Sequence, residues 1–168
     1  MRRKISILPV AALAGLSVLF MATEPTAAED LKGKITIGQL YAGAPVFREN
    51  AQKFRPDAVA VKRIREIGRK LKIVMFLATW CRDSVRESPK LLKILEAANN
   101  PNISLDLYAV NTSMEDGAGL AKSHGIRAVP TMIFFRDGRE LGRIIESPAT
   151  TMENDFLTII GPEEGQGH

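Results

Sequence analysis

The 168-residue chain carries 23 Lys and Arg against 19 Asp and Glu, a formal net charge of +4, with 45% apolar residues and a single cysteine. That length is enough for one well-buried core, and the composition is that of an ordinary globular protein. The small charge argues against a nucleic-acid partner, and a lone cysteine excludes an internal disulfide framework.

Arg2, Arg3 and Lys4 precede an apolar run from Ile5 to Ala22, followed by small residues through Thr26-Ala27-Ala28. This order predicts a secretion signal over 1–28, cut after Ala28. The alternative is an uncleaved membrane anchor, since the run approaches the ~18 apolar residues that span a bilayer. Pro9, Gly15 and the small residues favour cleavage. On either reading the domain, 29–160, is expected outside the cytoplasm, periplasmic or extracellular, with membrane contact only if the segment stays uncleaved. Loss of Arg2, Arg3, Lys4 and Glu24 leaves 20 cations against 18 anions, or +2. In an oxidising compartment the one cysteine must be buried, free and reactive, or paired with another molecule.

The first expected element is a short alternating strand in "KITIGQLY", then a helix in "APVFRENAQKF" with Pro45 near its start. Val61, Ile64, Ile67 (or Gly68) and Leu71 repeat at helical spacing, and Lys62, Glu66 and Lys70 form a charged ladder four residues apart. The basic residues around them suit a solvated face, with an anionic partner as the alternative. "KIVMFLAT", 72–79, is a continuous apolar run fit for a central strand. A helix follows from Cys81 to about Ala98, with Pro89 inside it, where proline removes a hydrogen bond and bends the axis. "NNPN" closes the helix and "ISLDLYAV", 103–110, reads as a strand. Thr112 with Glu115 resembles a capping box opening a short helix that ends at Gly125. "TMIFF" and "ELGRII" flank Asp137-Gly138 as a hairpin, and Thr150 with Glu153 offers a second capping box before a last amphipathic helix. The tail, 161–168, is expected to be loose. The order calls for an α/β domain with a mixed central sheet and helices on both faces.

Four features recur in order: "WC" after an apolar strand, Pro89 eight residues beyond the cysteine, "HGIRAVPT", and the "TMIFFRDGRE" hairpin. In these the sequence resembles the thioredoxin superfamily over roughly Lys72 to Ile160, with exported W-C-x-D-S proteins as the nearest kind. The resemblance implies a thioredoxin-like fold, a cis Pro130 facing the active-site thiol, and a turn at Gly138. Two departures matter. The dithiol C-x-x-C is here Cys81-Arg82-Asp83-Ser84, and the aspartate that many members bury six residues earlier is Met75. The proton-handling role usually assigned to that aspartate is therefore missing together with the second cysteine.

A thiol in the first turn of a helix meets unpaired N–H groups and the positive end of the dipole, which favour thiolate over the free thiol of pKa ~8.5. Arg82 and Arg86 would act in the same sense, Asp83 against, and Ser84 could donate a hydrogen bond to the sulfur. Such a thiolate attacks a disulfide or a sulfenic acid, but a serine cannot resolve the product, so an external thiol or reductase is required. The candidate catalytic residues are Cys81 and Ser84, with Trp80, Arg82, Asp83, Val129 and Pro130 shaping the site. Exported client proteins with thiols or disulfides are the expected partners. The alternatives are an inert buried Cys81 and a non-catalytic thioredoxin-fold binding module; Trp80 is either a core aromatic or an apolar rim. Ser84 as an engineered trapping substitution is a further option. His124 and His168 form no metal constellation, and no cofactor is expected.

Overall fold

The computed structural model describes residues 31–162. The signal-like segment 1–28 and the tail beyond 162 lie outside the described residues. Among the described residues no helix is long and apolar enough to cross a membrane.

The elements are β1 (Gly33–Ile35), α1 (Ile37–Gly43), α2 (Pro45–Lys53), α3 (Ala58–Arg65), β2 (Leu71–Leu77), α4 (Arg82–Ala98), β3 (Ile103–Ala109), α5 (Leu120–Ser123), β4 (Thr131–Arg136), β5 (Arg139–Ile145) and α6 (Met152–Ile160). They build a five-stranded mixed sheet in the order β1-β3-β2-β4-β5. Only β2 and β3 run parallel; the other three pairs are antiparallel. Six of the seven residues of β2 are buried, as a strand with neighbours on both edges and cover on both faces requires.

Alternation sorts the sheet into two faces. Ile73, Met75 and Leu77 join Leu107, Met132 and Phe134 in the main core, and helices α1, α2, α3, α4 and α6 all lay their buried residues onto it. Phe134 meets Phe156 of α6 edge to face at 5.0 Å. The opposite face carries Val74, Phe76 and Ile133, covered by Ala121 of α5 and by Ile126 and Val129 of the following loop. Helices thus stand on both faces, but unequally: five against one helix of four residues.

Local chemistry moved several boundaries. In "KITIGQLY" the strand stops at Ile35 because Thr36 opens α1: its hydroxyl accepts from Gln39 N at 3.1 Å while Gln39 Oε1 accepts from Thr36 N at 2.8 Å. The α3 helix ends at Arg65 and Leu71 belongs to β2. Buried Asn100 draws off the carbonyls of Ile64, Arg65 and Ile67 at 2.9–3.0 Å. In return Arg65 donates to Ala97 O and Ala98 O, so α3 and α4 cap each other's ends. The Thr112 capping box does not form. Asn111 Oδ1 takes the N–H groups of Ser113 and Glu115 instead, and buried Asp116 accepts from Leu120 N and Ala121 N to start α5. At α6 the cap is Thr151, accepting from Asn154 N at 3.2 Å, one residue later than the sequence pattern suggested. The hairpin is as expected, with Asp137 and Gly138 both at positive φ, the two-residue turn whose twist matches its strands.

Candidate functional site

Leaving β2, the chain turns through Ala78-Thr79-Trp80 and enters α4 at Cys81, its N-cap residue. Two hydrogen bonds hold that corner: Cys81 N donates to Ala78 O at 3.2 Å, and Ala78 N donates to Ser84 Oγ at 3.1 Å. Ser84 is fully buried. Its hydroxyl therefore serves the backbone corner and is not hydrogen-bonded to the sulfur, which departs from the sequence expectation.

Cys81 is half-buried. Its Sγ caps none of the first-turn N–H groups of α4; it donates to Val129 O at 3.0 Å. Val129 precedes Pro130, and the bond between them is cis. Neither the N–H nor the C=O of Val129 enters the sheet, whose β4 begins at Thr131. Two contacts pin the loop around it: Thr131 Oγ1 donates to Ala128 O at 2.7 Å, and Glu146 N, just past β5, donates to Pro130 O at 2.7 Å. Residues 48 positions apart thus meet across one sulfur-to-carbonyl contact. The surroundings are apolar. Trp80 is 46% exposed beside the cysteine, and Ile145, paired with Thr131 across β4 and β5, is 49% exposed.

The charged neighbours point elsewhere. Arg86 binds Asp83 and Glu87, each at 2.6 Å, and donates to Ser147 Oγ at 2.9 Å; its hydrogen bond to Glu87 holds its ionisation above the usual arginine range. Arg86 thereby ties α4 to the segment after β5. Arg82 is exposed and makes no ion pair among the described residues. Met75 is completely buried in the main core, against Leu107 and Met132 on its neighbouring strands. Pro89 also finds its reason. With no N–H at residue 89, the carbonyl of Val85 loses its helical partner, and Asn50 Nδ2 of α2 supplies a donor at 2.9 Å.

Of the seven candidates, Cys81, Val129 and Pro130 come together, Trp80 lies at the rim, Asp83 is paired with Arg86, Ser84 supports the corner from beneath, and Arg82 stands apart. Sequence reasoning missed Asn50, Ile145 and Ser147. Asn50 was in principle readable, because a helical proline demands a donor for the carbonyl four residues earlier. The other two depend on pairing across β4 and β5.

A family model described as thioredoxin matches residues 46–156. Mitochondrial thioredoxin-2 of Schizosaccharomyces pombe is 33% identical over 85 residues, covering 51% of this chain and 59% of that protein. Mitochondrial thioredoxin-3 of Saccharomyces cerevisiae is 28% identical over 87 residues, covering 52% and 64%. The chain spans about six-tenths of the length of these curated relatives. Among solved structures, a Pseudomonas aeruginosa protein of unknown function superimposes with a TM-score of 0.50 at 19% identity, over 66% of this chain and 67% of that one, a likeness of fold. With the matched segment running from α2 into α6 and enclosing the whole Cys81 site, the chain belongs to the thioredoxin family.

Proposed function

We propose that this is a thiol–disulfide exchange protein working with one sulfur, and that it acts outside the cytoplasm on exported clients. The observation that carries the reading is Cys81 Sγ, partly accessible and in contact with Val129 O at 3.0 Å beside a Val129 N–H that stays outside the sheet. An extended client segment can add to that free backbone edge while Trp80 and Ile145 contact its side chains. The Cys81 thiolate attacks one sulfur of a client disulfide, forming a mixed disulfide and releasing the other client sulfur as thiolate. An external thiol then attacks the mixed disulfide, takes the client sulfur and returns Cys81 as thiolate. The electron pair leaving each broken S–S bond stays with the departing sulfur. No net oxidation occurs within this chain. The export reading rests on Arg2 to Ala28, ahead of the described residues.

Incubation of the full chain with a peptide disulfide is expected to yield a one-to-one adduct on Cys81, released by dithiothreitol, without catalytic reduction of insulin. Ser84→Cys is expected to gain insulin reduction. No adduct under conditions where the denatured chain reacts, or parent turnover equal to that of the variant, defeats the reading.

A second reading, a binding module using the same groove, is favoured by the sulfur's contact with Val129 O, which engages it within the protein. Cys81→Ala separates the two: client retention after denaturing wash requires the sulfur, whereas undiminished native binding without it identifies a module.

A further inference from the structure

The sparsely covered sheet face holds a cavity of about 470 Å³ at the end of β2 remote from Cys81. Its size falls in the range of small-molecule sites, roughly 300–1,000 Å³. Val74 and Phe135 give it an apolar lining, with the His124 ring set edge to face against Phe135 at 5.8 Å and 62°. Lys70 and Lys72 also line it, with Asn102 and Ser104, whose side chains donate to Ile67 O at 3.1 Å and Leu71 O at 3.4 Å. The carboxylates nearby already have cations: Asp137 pairs with Arg69 at 3.0 Å, and Asp106 with Lys34 and Lys72 at 2.6 and 2.8 Å. Lys70 is exposed and enters no ion pair among the described residues. The lining therefore combines a spare positive charge at Lys70 with the apolar side chains of Val74 and Phe135.

The geometry points to a binding site for a small aromatic monoanion, its ring against Val74 and Phe135 and its carboxylate toward Lys70, independent of the thiol site. The apolar lining supplies burial for the ring, while the lysine ammonium supplies the charge and donors that fix one anionic end. A neutral analogue would keep the burial and lose the charge.

The test is a titration of the 15N-labelled full chain with 2-naphthoate, followed by amide shifts. Saturable changes at Ser104, His124 and Phe135 are expected, with affinity about fivefold weaker for neutral 2-naphthamide and for naphthoate binding to Lys70→Glu. Lys70 is exposed, so the variant is expected to fold; if it does not, the neutral analogue on the parent chain decides alone. Shifts that never saturate or scatter away from these residues, or equal affinity for acid and amide, overturn the assignment. So does an undiminished affinity in folded Lys70→Glu.

Discussion

Ser84 shows how one hydroxyl separates a structural role from a chemical one. Its oxygen accepts the N–H of Ala78 at the exit of β2, within a fully buried corner. Ser84→Ala leaves that donor without a partner, at a cost of about 1–3 kcal/mol in urea unfolding. Because the sulfur bonds to Val129 O rather than to Ser84, the same variant is expected to alkylate at Cys81 within about twofold of the parent rate, a bound set by the small energy of an unmade contact. A tenfold loss of reactivity would restore Ser84 to the chemistry. Asp106 tells a parallel story on β3. Hydrogen bonds from Lys34 and then Lys72 outweigh its burial and hold its carboxyl below the usual range. A carboxylate so held contributes stability that is fully present above its unfolded value of about 3.9 and is lost as pH falls through the lower folded value. The parent should therefore lose stability in that acid window, whereas Asp106→Asn, less stable at neutral pH, should show a flatter profile there. Equal acid slopes in parallel urea titrations would count against this.

Elements in this chain are stitched by side chains that complete one another's backbone. The α2–α4 contact is fastened by Asn50 on the carbonyl that Pro89 strands. Asn50→Ala should cost about 1 kcal/mol in the parent and distinctly less alongside Pro89→Ala, where residue 89 regains an N–H to donate. A double-mutant cycle with no coupling would mean that the amide is incidental. The α3–α4 junction works both ways, with Asn100 on three carbonyls and Arg65 on two. Helix α4 itself, its proline, its apolar stripe and its close at "NNPN" were legible in the sequence, and the structure makes Asn99 the left-handed stop. Helix α1 was not, because Thr36 and Gln39 decide between strand and helix through two hydrogen bonds that alternation alone does not display.

Across the whole molecule, stability should grade from one sheet face to the other. Five helices close the main core, while α5 and its flanking loops alone close the opposite side. Amide exchange in β2 is expected to require global unfolding, whereas the 111–126 segment should exchange through local opening at lower cost. Uniform protection across both would contradict the asymmetry. The site sits where the two regimes meet, since Cys81 begins a well-packed helix while Val129 ends the lightly held loop. The order of β2 to α6, the cysteine at a strand-to-helix corner and the absent second sulfur were legible because local periodicity, caps and turn chemistry act over a few residues, while the family entered through the resemblance of four short motifs. Only the tertiary structure decided what the sulfur touches, which backbone Ser84 serves and which sheet face is left thinly covered. The sulfur meets a carbonyl 48 residues away because β2 and β4 pair in one register, and even Ser84, six residues from Ala78, finds its partner only once the corner is buried; a chain encodes such meetings through the packing of the whole core.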